Sequence, residues 1–354
     1  MEKHVDTLLL GGGPAAASAA ITLGRAGHCI ALLYRTAKFV RQGEVLCANA
    51  LPLLQKIDPG LANTKGLIRA VPGAISAWGR DSLVTRPSIL NPYGDDILLD
   101  RSCFDASLRH QAASLPSVEV ISLSAPFQVE DVASGWRVRV DDQHSYVARY
   151  ILDGTGRIAY MARRFGKRMI LDRMICFYWE LISDYDCDRD DRLLVTSDEA
   201  GWWYSIRTAG DTRILCRFAE SAHPHVLRLD QAPFPASPLL ADIMHIGRYC
   251  IRRSFVFNAS IEVTADSAPC RWMAVGDAYA TVDPLSGQGC LRAITDGHEA
   301  AHAIEALFSG SDSDASALIE ERRRSVLTDI TRRREIYARE RRWRNQSFWA
   351  NRAS

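Results

Sequence analysis

The 354-residue sequence contains no hydrophobic run that approaches the roughly 20 apolar residues needed to cross a membrane. Its net charge is only +1 with histidine neutral, which argues against electrostatic binding of nucleic acid by the protein surface as a whole. Internal repeats are not visible. Because 47% of the residues are apolar, the chain can bury a sizeable core, as expected for one compact globular protein.

Paired cysteines are missing as well. The nine cysteines are scattered without a Cys-x-x-Cys pair, and no charged and then apolar signal segment precedes the first predicted strand. Disulfide frameworks belong to oxidising compartments, so these absences favour a reduced setting. We therefore expect a cytoplasmic protein.

A glycine-rich turn follows the first apolar run of the chain. Val5–Leu10 has the length of a buried strand, and an alanine-rich stretch after the turn predicts a helix. Together they form a G-x-G-x-x-A dinucleotide turn, in which Gly11 permits the tight turn and Gly13 lets the backbone approach a pyrophosphate. The small Ala16 allows the helix to pack closely on the strand.

The next apolar run, Cys29–Leu33, predicts a second parallel strand. An acidic residue commonly follows such a strand and binds the adenosine ribose. Here Tyr34 occupies that position and Arg35 follows it. We therefore expect adenosine to be held at these two residues either less tightly or in a different way.

A third informative segment lies far along the chain. Trp272–Val275 predicts a short buried strand, and in the Gly276-Asp277 turn that follows, Asp277 can accept a hydrogen bond from a ribityl hydroxyl. Pro284–Gly289 then brings bare N–H groups to a positive helix start, which suits the pyrimidine edge of a flavin ring. Alone, the segment fits an ordinary strand–turn–helix corner equally well. The residues assigned to the ring are Pro284, Gly287, Gln288 and Gly289.

Strands and helices are predicted to alternate between these segments. Gly43-Glu44 precedes one predicted helix, and Leu98–Ala112 contains another. The stretch Asp153-Gly-Thr-Gly156 ends a run that predicts a strand returning to the first sheet.

The later part of the chain predicts a second architecture. Short alternating runs between about residues 168 and 218 predict an antiparallel sheet that roofs a substrate chamber. After Asp277 the chain is predicted to be helical, with a Ser/Asp/Gly linker at Ser309–Ser316. The fold class is therefore α/β, with a Rossmann-like FAD-binding domain interwoven with an antiparallel-sheet substrate domain and a helical C-terminus. The expected parts are 1–80 and 81–166 for FAD binding, 167–265 for substrate, 266–308 for the Gly-Asp segment, and 309–354 for the helical tail.

These motifs resemble the FAD-dependent monooxygenases of the aromatic-hydroxylase fold, in the branch that they share with flavin-dependent halogenases. Gly43-Glu44 resembles their Gly-Glu element near the flavin, and Arg101 with Asp105 is similar to the start of their FAD-contacting helix. The resemblance implies FAD as cofactor, O2 as co-substrate, and electrons from NAD(P)H or from an external flavin reductase.

Three departures from the halogenases favour hydroxylation. The halogenase segment that resembles Ala70–Gly79 contains a lysine, and this chain has no lysine there. Tryptophan halogenases have a glutamate at the position of Ser286. Their two-tryptophan, isoleucine and proline signature resembles Trp202–Arg207, but here Tyr204 and Arg207 replace the second tryptophan and the proline.

Within this branch the chain is most similar to monooxygenases that modify protein-bound tryptophan during maturation of tryptophylquinone oxidases. Their aromatic, arginine-rich tail resembles Tyr337–Trp343 and Phe348-Trp349. The resemblance implies hydroxylation of an indole or phenol ring through a flavin C4a-hydroperoxide, with a tryptophan of a partner protein or peptide as the expected substrate. Two alternatives stay open: a halogenase acting on a free or carrier-bound aromatic, and a flavin reductase similar to geranylgeranyl reductases.

The candidate catalytic residues are Glu44, Trp202 and Tyr204. Glu44 is placed to orient substrate or transfer a proton near the ring, or alternatively to cap the helix that follows it. Trp202 and Tyr204 are placed to line an aromatic substrate face, or alternatively to fill the core as ordinary alternating strand residues.

Two further motifs have plain alternatives. His298-Glu299-Ala-Ala-His302 matches the H-E-x-x-H zinc pattern, but it falls within the helix that follows the flavin segment, so no metal site is assigned. The arginine-rich stretch Glu321–Arg344 predicts either an exposed, salt-bridged helix or a surface that binds an acidic partner.

Overall fold

The computed structural model describes residues 1–36, 42–57, 59, 65–183, 189–208, 210–221, 249–265 and 271–353. Within these ranges the strands, in chain order, are β1 (Glu2–Leu10), β2 (Ile30–Tyr34), β3 (Glu44–Leu46), β4 (Leu67–Val71), β5 (Gly73–Ala77), β6 (Val84–Pro87), β7 (Asp96–Leu99), β8 (Val118–Ser122), β9 (Gln128–Val132), β10 (Gly135–Arg139), β11 (Ser145–Asp153), β12 (Lys167–Asp172), β13 (Met174–Ser183), β14 (Leu193–Asp198), β15 (Gly201–Arg207), β16 (Thr212–Glu220), β17 (Tyr249–Asn258), β18 (Ile261–Ala265) and β19 (Trp272–Ala274). The α-helices are α1 (Pro14–Arg25), α2 (Ala50–Ile57), α3 (Arg101–Ala113), α4 (Tyr160–Phe165), α5 (Gly289–Phe308), α6 (Asp312–Ala338) and α7 (Ser347–Ala353).

The first sheet is the parallel core that a dinucleotide-binding unit requires. Its order is β8-β2-β1-β11-β10-β9, and β19 pairs in parallel with the end of β11. The strands from β8 to β11 are parallel, whereas β10 and β9 form an antiparallel edge. The carboxyl ends of β1, β2, β11 and β19 therefore meet at one edge, where ligands of open α/β sheets bind.

Helix α1 joins this sheet to α5 through unusually close packing. Ten of its small or apolar residues are fully or nearly buried, from Pro14 to Leu23. A Cβ atom on Gly297 would overlap the carbonyl oxygen of Ala15, so only glycine permits this approach of the two helices. The hydroxyl of Ser18 donates to the carbonyl of Ile294 at 2.9 Å across the same contact.

The second sheet has the order β17-β13-β16-β15-β14-β5-β6. It is antiparallel except where β14 runs parallel to β5. The predicted antiparallel sheet is thus present. It also contains β5 and β6, which come from the part of the sequence that was expected to bind FAD.

Two sequence expectations about the C-terminal region were wrong. The predicted linker Ser309–Ser316 is much shorter, because α6 already begins at Asp312. Asp312 and Asp314 lie in the first turn, where negative charge stabilises a helix start. The arginine-rich stretch is also not simply an exposed helix, since Arg322 is 2% exposed.

Helices α6 and α7 cover one face of the second sheet. The indole N–H of Trp78 donates to the carbonyl of Ile336 at 2.9 Å, and that of Trp349 donates to the carbonyl of Asp198 at 2.9 Å. Such buried indole donors need partners, so these bonds fix the tail in one position. No described helix combines the length and hydrophobicity that crossing a membrane requires.

Glu340 fastens the chain after α6 to the second sheet. Its carboxylate accepts from the Gly79 N–H at 2.6 Å, from the Ser197 hydroxyl at 2.6 Å and from the Arg342 guanidinium at 2.8 Å. Burial alone would raise the pKa of Glu340, but the hydrogen bonds outweigh it and hold the pKa below its ordinary value.

We expect Glu340→Gln to remove an acid-sensitive part of the stability. Because the folded pKa lies below the unfolded value of about 4.3, the carboxylate stabilises the fold above that pH and loses its effect as the pH falls towards the folded pKa. Chemical unfolding at pH 7 should show a loss of about 1.5–3 kcal/mol in the variant. Parent and variant should converge as the pH falls below 4; a constant difference at all pH values would contradict this origin.

Candidate active site

The dinucleotide turn lies where β1 meets β11. The Gly11 N–H donates to the Leu33 carbonyl at 2.8 Å, and the Gly154 N–H donates to the Leu10 carbonyl at 2.7 Å. Gly11 has a φ of +107°, and a Cβ there would overlap the Gly154 carbonyl. The Gly-Thr-Gly segment is therefore packed against the turn, at the end of the strand that was predicted to return to the first sheet.

Gly13 faces open space at the start of α1. A Cβ added to it would meet no atom within 4 Å, and no side chain caps the helix. The free N–H groups of the first turn can thus receive an anion. Ala16 lies directly behind them, fully buried, so its small size allows the close packing that the motif predicts.

Tyr34 and Arg109 form the side of this turn that would face adenosine. The Tyr34 side chain lies against Gly12, and the Arg109 guanidinium stands 4.5 Å from the centre of the tyrosine ring. Arg109 also donates to the Gly12 carbonyl at 2.7 Å. The sequence analysis missed Arg109, although its place two turns after Arg101 on α3 could have revealed it. Arg35 is exposed beside this pair.

Arg101 connects the Gly-Glu element to α3. Its guanidinium pairs with Glu44 and makes two 3.0 Å hydrogen bonds to Asp105. Burial alone would lower the pKa of Arg101, but the two carboxylates outweigh it and raise that pKa; burial likewise raises the pKa of Asp105. Glu44 belongs to β3 and not to a helix start, so the helix-cap alternative was wrong.

The Gly-Asp corner follows β19 as predicted. The Gly276 N–H donates to the Asp296 carboxylate at 2.6 Å, while the Asp277 carboxylate is 40% exposed and lies 3.6 Å from the Arg157 guanidinium. Asp277 therefore keeps an oxygen surface for a hydroxyl ligand. Arg157 was not anticipated; it follows Gly156 directly.

The loop Pro284–Gly289, which we call the flavin loop, lies next to Cys47, just after the strand that begins at Glu44. Gly287 has a φ of +62°, and its carbonyl accepts from the Cys47 thiol at 3.7 Å. A Cβ on Gly287 or Gly289 would meet nothing within 4 Å, and Gln288 provides no side-chain cap to α5. Pro284 starts the short 3-10 turn that carries this loop.

Asp283 ties the same loop to α6. One carboxylate oxygen accepts from Arg333 at 2.8 Å and from the Tyr337 hydroxyl at 3.0 Å, and the other accepts from the Leu285 N–H. Burial raises the pKa of Tyr337, and so does the neighbouring Asp283 carboxylate. Arg333 is thus a structural residue of the flavin loop, which the sequence did not reveal.

Aromatic residues of the second sheet lie over the Gly-Glu element. The Tyr204 hydroxyl donates to the Gly43 carbonyl at 2.5 Å, and the Gln42 N–H donates to the Tyr178 hydroxyl at 3.3 Å. Tyr178 stacks on Phe255 with ring centres 4.5 Å apart. Burial raises the pKa of Tyr204, so its hydroxyl stays a donor at neutral pH. We call Tyr178, Tyr204, Phe255 and Phe257 the aromatic face.

The two neighbouring tryptophans occupy different places. Trp202 stacks on Phe218 at 4.0 Å and donates to the Tyr337 hydroxyl at 3.1 Å, with 1% of its surface exposed. Trp203 points to the other side of the sheet, where its indole donates to Asp198 at 2.7 Å. For Trp202 the position agrees with the core-packing alternative. Tyr178 and Phe255 were missed because only the pairing of β13 with β17 brings them together.

The uncapped starts of α1 and α5 thus belong to helices that pack on each other, and Gly276, which precedes the partly exposed Asp277, lies against Ala15 and Ala293 of these two helices. We call the open space at Gly13, Gly287 and Gly289 the cofactor cleft. This arrangement fits a dinucleotide whose pyrophosphate lies at α1 and whose flavin ring lies at α5.

Flavoenzymes of known structure share this architecture. The peptidyl tryptophan dihydroxylase QhpG, essential for tryptophylquinone cofactor biogenesis, matches with a TM-score of 0.76 at 21% identity, over 99% of this chain and 79% of that chain. A triple mutant of the flavin-dependent brominase Bmp2 also matches with a TM-score of 0.76, at 20% identity, over 97% of this chain and 90% of that chain. This chain has the fold of the FAD-dependent monooxygenases and halogenases. The α/β fold class and the resemblance predicted from the sequence are confirmed.

One sequence relative aligns with nearly the whole length of this chain. LodB of Marinomonas mediterranea, provisionally named an FAD-dependent oxidoreductase, is 25% identical over 364 residues, which cover 99% of this chain and 97% of that protein. No family model matches the chain. The prediction of a flavin-dependent oxidoreductase is confirmed by these relatives.

Proposed function

We propose that this protein is an FAD-dependent monooxygenase that hydroxylates an indole or phenol ring. The observation that carries the proposal is the aromatic face, whose Tyr178 and Tyr204 hydroxyls are held against the backbone of residues 42 and 43, beside the flavin loop. The half-buried rings of Tyr204, Phe255 and Phe257 can bind a planar ring and exclude water from it, while the buried Tyr178 supports Phe255 by stacking on it.

Val71 supports hydroxylation over halogenation. This residue stands where the halogenase motif has its lysine, and it is 1% exposed, packed in the same apolar cluster as Leu98 and Trp202. A halogenase needs a positioned cation or acid to hand on an electrophilic halogen, whereas hydroxylation needs only an electron-rich ring near the activated oxygen. The buried, apolar Val71 provides no such cation or acid.

Bound FAD would supply electrons and activate O2, with NAD(P)H or an external reduced flavin as the electron source. The N–H groups of Gly287 and Gly289 would stabilise negative charge on the ring at the start of α5. The exposed oxygen of Asp277 would orient the ribityl chain. Glu44, fixed by Arg101, would position the ring or a substrate proton.

Product mass tests the reaction class. We expect the FAD-loaded enzyme, supplied with NADH, a flavin reductase and tryptophan-containing peptides in the presence of bromide, to add about 16 daltons per oxygen, derived from labelled O2. A bromine isotope pattern would instead indicate halogenation, and a gain of about 2 daltons would indicate reduction; either result would overturn the proposal.

We also propose that the ring belongs to a tryptophan in a partner protein or peptide. A mostly apolar cavity lies between the flavin loop and α6, lined among others by Leu285, Gln288 and Ile336, with Arg332 at its side. Arg332 and Arg334 are exposed, while Arg333 between them is bound to Asp283. A peptide bearing carboxylates could therefore pair with the exposed Arg332 beside this cavity.

Charge reversal at Arg332 and Arg334, leaving Arg333 in place, tests this partner. We expect the double change to glutamate to lower kcat/KM for an acidic tryptophan peptide by tenfold or more at low salt, with FAD content unchanged. The matched control is the same double change at Arg323 and Arg324, which pair with Glu320 and Glu321 on the same helix. Equal losses in both variants, or none, would count against a docking role.

A further inference from the structure

The two histidines of the H-E-x-x-H stretch form a pair on α5, away from the flavin loop. His298 and His302 are one helical turn apart, and their Nε2 atoms lie 3.3 Å from each other. The rings stand nearly perpendicular, with centres 4.5 Å apart. None of the functions proposed above uses this pair.

Hydrogen bonds at the Nδ1 atoms of His298 and His302 determine which nitrogen of each ring carries the proton. The His302 Nδ1–H donates to the Glu305 carboxylate at 2.7 Å, because a carboxylate can only accept. The Thr22 hydroxyl directs its single proton to the Ser18 carbonyl at 3.0 Å, so at 2.9 Å it accepts from the His298 Nδ1–H. In the neutral pair both Nε2 lone pairs therefore face the same point in space.

Two converging lone pairs repel each other unless a cation lies between them. Two Zn–N bonds of about 2.0–2.1 Å at the tetrahedral angle separate the nitrogens by about 3.3–3.4 Å, which matches the observed spacing. Glu305 and Thr22 hold the rings as outer partners commonly do in histidine metal sites.

We propose that His298 and His302 chelate a divalent transition-metal ion such as Zn2+ through their Nε2 atoms. Among the described residues no three metal-ligating side chains come together, so water completes the coordination and the ion is exchangeable. The site is not that of a zinc protease. The charged neighbours of Glu299 include Arg322 and Glu321 on α6, so this carboxylate faces α6 and not the pair.

The place of the site in the fold gives the ion a structural effect. His298 contacts Thr22 on α1, and α1 and α5 are the two helices whose starts border the cofactor cleft. An ion that fixes His298 against Thr22 would stabilise the contact between these helices. Because the ion binds only the folded chain, it should raise the unfolding temperature with and without FAD.

Titration of the FAD-loaded protein with ZnCl2, followed by calorimetry, tests the site. We expect His302→Gln to weaken one class of Zn2+ binding by tenfold or more, and Glu305→Gln to weaken it by about 10–100-fold. The matched control is His110→Gln, an exposed histidine on α3. His302 is itself 47% exposed, so its replacement should leave FAD content and the metal-free unfolding temperature unchanged.

Copper binding gives a second readout. The spectrum of bound Cu2+ should show coupling to two imidazole nitrogens in the parent and to fewer in His302→Gln. Equal Zn2+ binding by the parent and His302→Gln would overturn the proposal. So would Zn2+ binding by the parent that does not exceed non-specific background, because the two histidines would then be bridged only by a proton. These outcomes are independent of whether the enzyme hydroxylates its substrate.

Discussion

Gly13→Glu should abolish FAD retention while the apoprotein stays folded. The backbone of Gly13 has φ −84° and ψ −179°, which any residue adopts, and its Cβ would enter open space. A glutamate there would fill the space needed by the pyrophosphate and place a negative charge beside it. We expect FAD to bind at least 100-fold more weakly, equivalent to about 2.7 kcal/mol.

Absorbance of the purified protein and fluorescence titration of the apoprotein with FAD measure this loss. Gly13→Ala is the matched control, because it makes the same backbone change without the charge and should lose much less affinity. Both apoproteins should unfold within about 0.5 kcal/mol of the parent. Full flavin content in Gly13→Glu would show that the cofactor does not lie at the start of α1.

Arg322→Met should destabilise the protein by about 3–5 kcal/mol, because it leaves the Asp296 carboxylate buried without its cation. In the parent, Arg322 donates to Asp296 at 2.8 Å and to the Ala274 carbonyl at 2.7 Å, and its guanidinium lies 4.5 Å from the centre of the Tyr279 ring. Asp296 in turn accepts from Gly276. The Gly-Asp corner should therefore loosen together with α6.

Denaturant unfolding compares this variant with Arg323→Met, whose arginine is 69% exposed and which should change stability by less than about 0.5 kcal/mol. The double variant with Asp296→Asn should recover part of the loss, since it removes the unpaired charge but keeps an acceptor for Gly276. Equal unfolding midpoints for the two single variants would rule out an important buried pair.

Local turn chemistry made the turns of the proposed cofactor site predictable from the sequence. Gly11, Gly13 and the Gly276–Gly289 segment each provide a special backbone conformation or leave room for a ligand to approach the backbone. Both properties can be recognised from the residues next to them in the sequence. The parallel strands could be predicted in the same way, from apolar runs that precede glycine turns.

The remaining features depend on long-range pairing. Arg109 reaches Tyr34 only because β2 and α3 are neighbours in space, and Tyr178 meets Phe255 only through the pairing of β13 with β17. Arg322 stands in a run of arginines, and no local pattern distinguishes the one that is buried. Glu44 was expected before a helix because β3 is only three residues long, too short to show a periodicity.

The close approach of Gly297 to Ala15 has a consequence for synthesis of the protein. The two halves of the cofactor cleft are made far apart in time, since α1 leaves the ribosome long before α5. Until Gly297 has emerged, the alanine-rich side of α1 has no partner and presents apolar surface to chaperones. Nascent chains should therefore acquire their flavin late, and arrested chains that end before α5 should not acquire it at all.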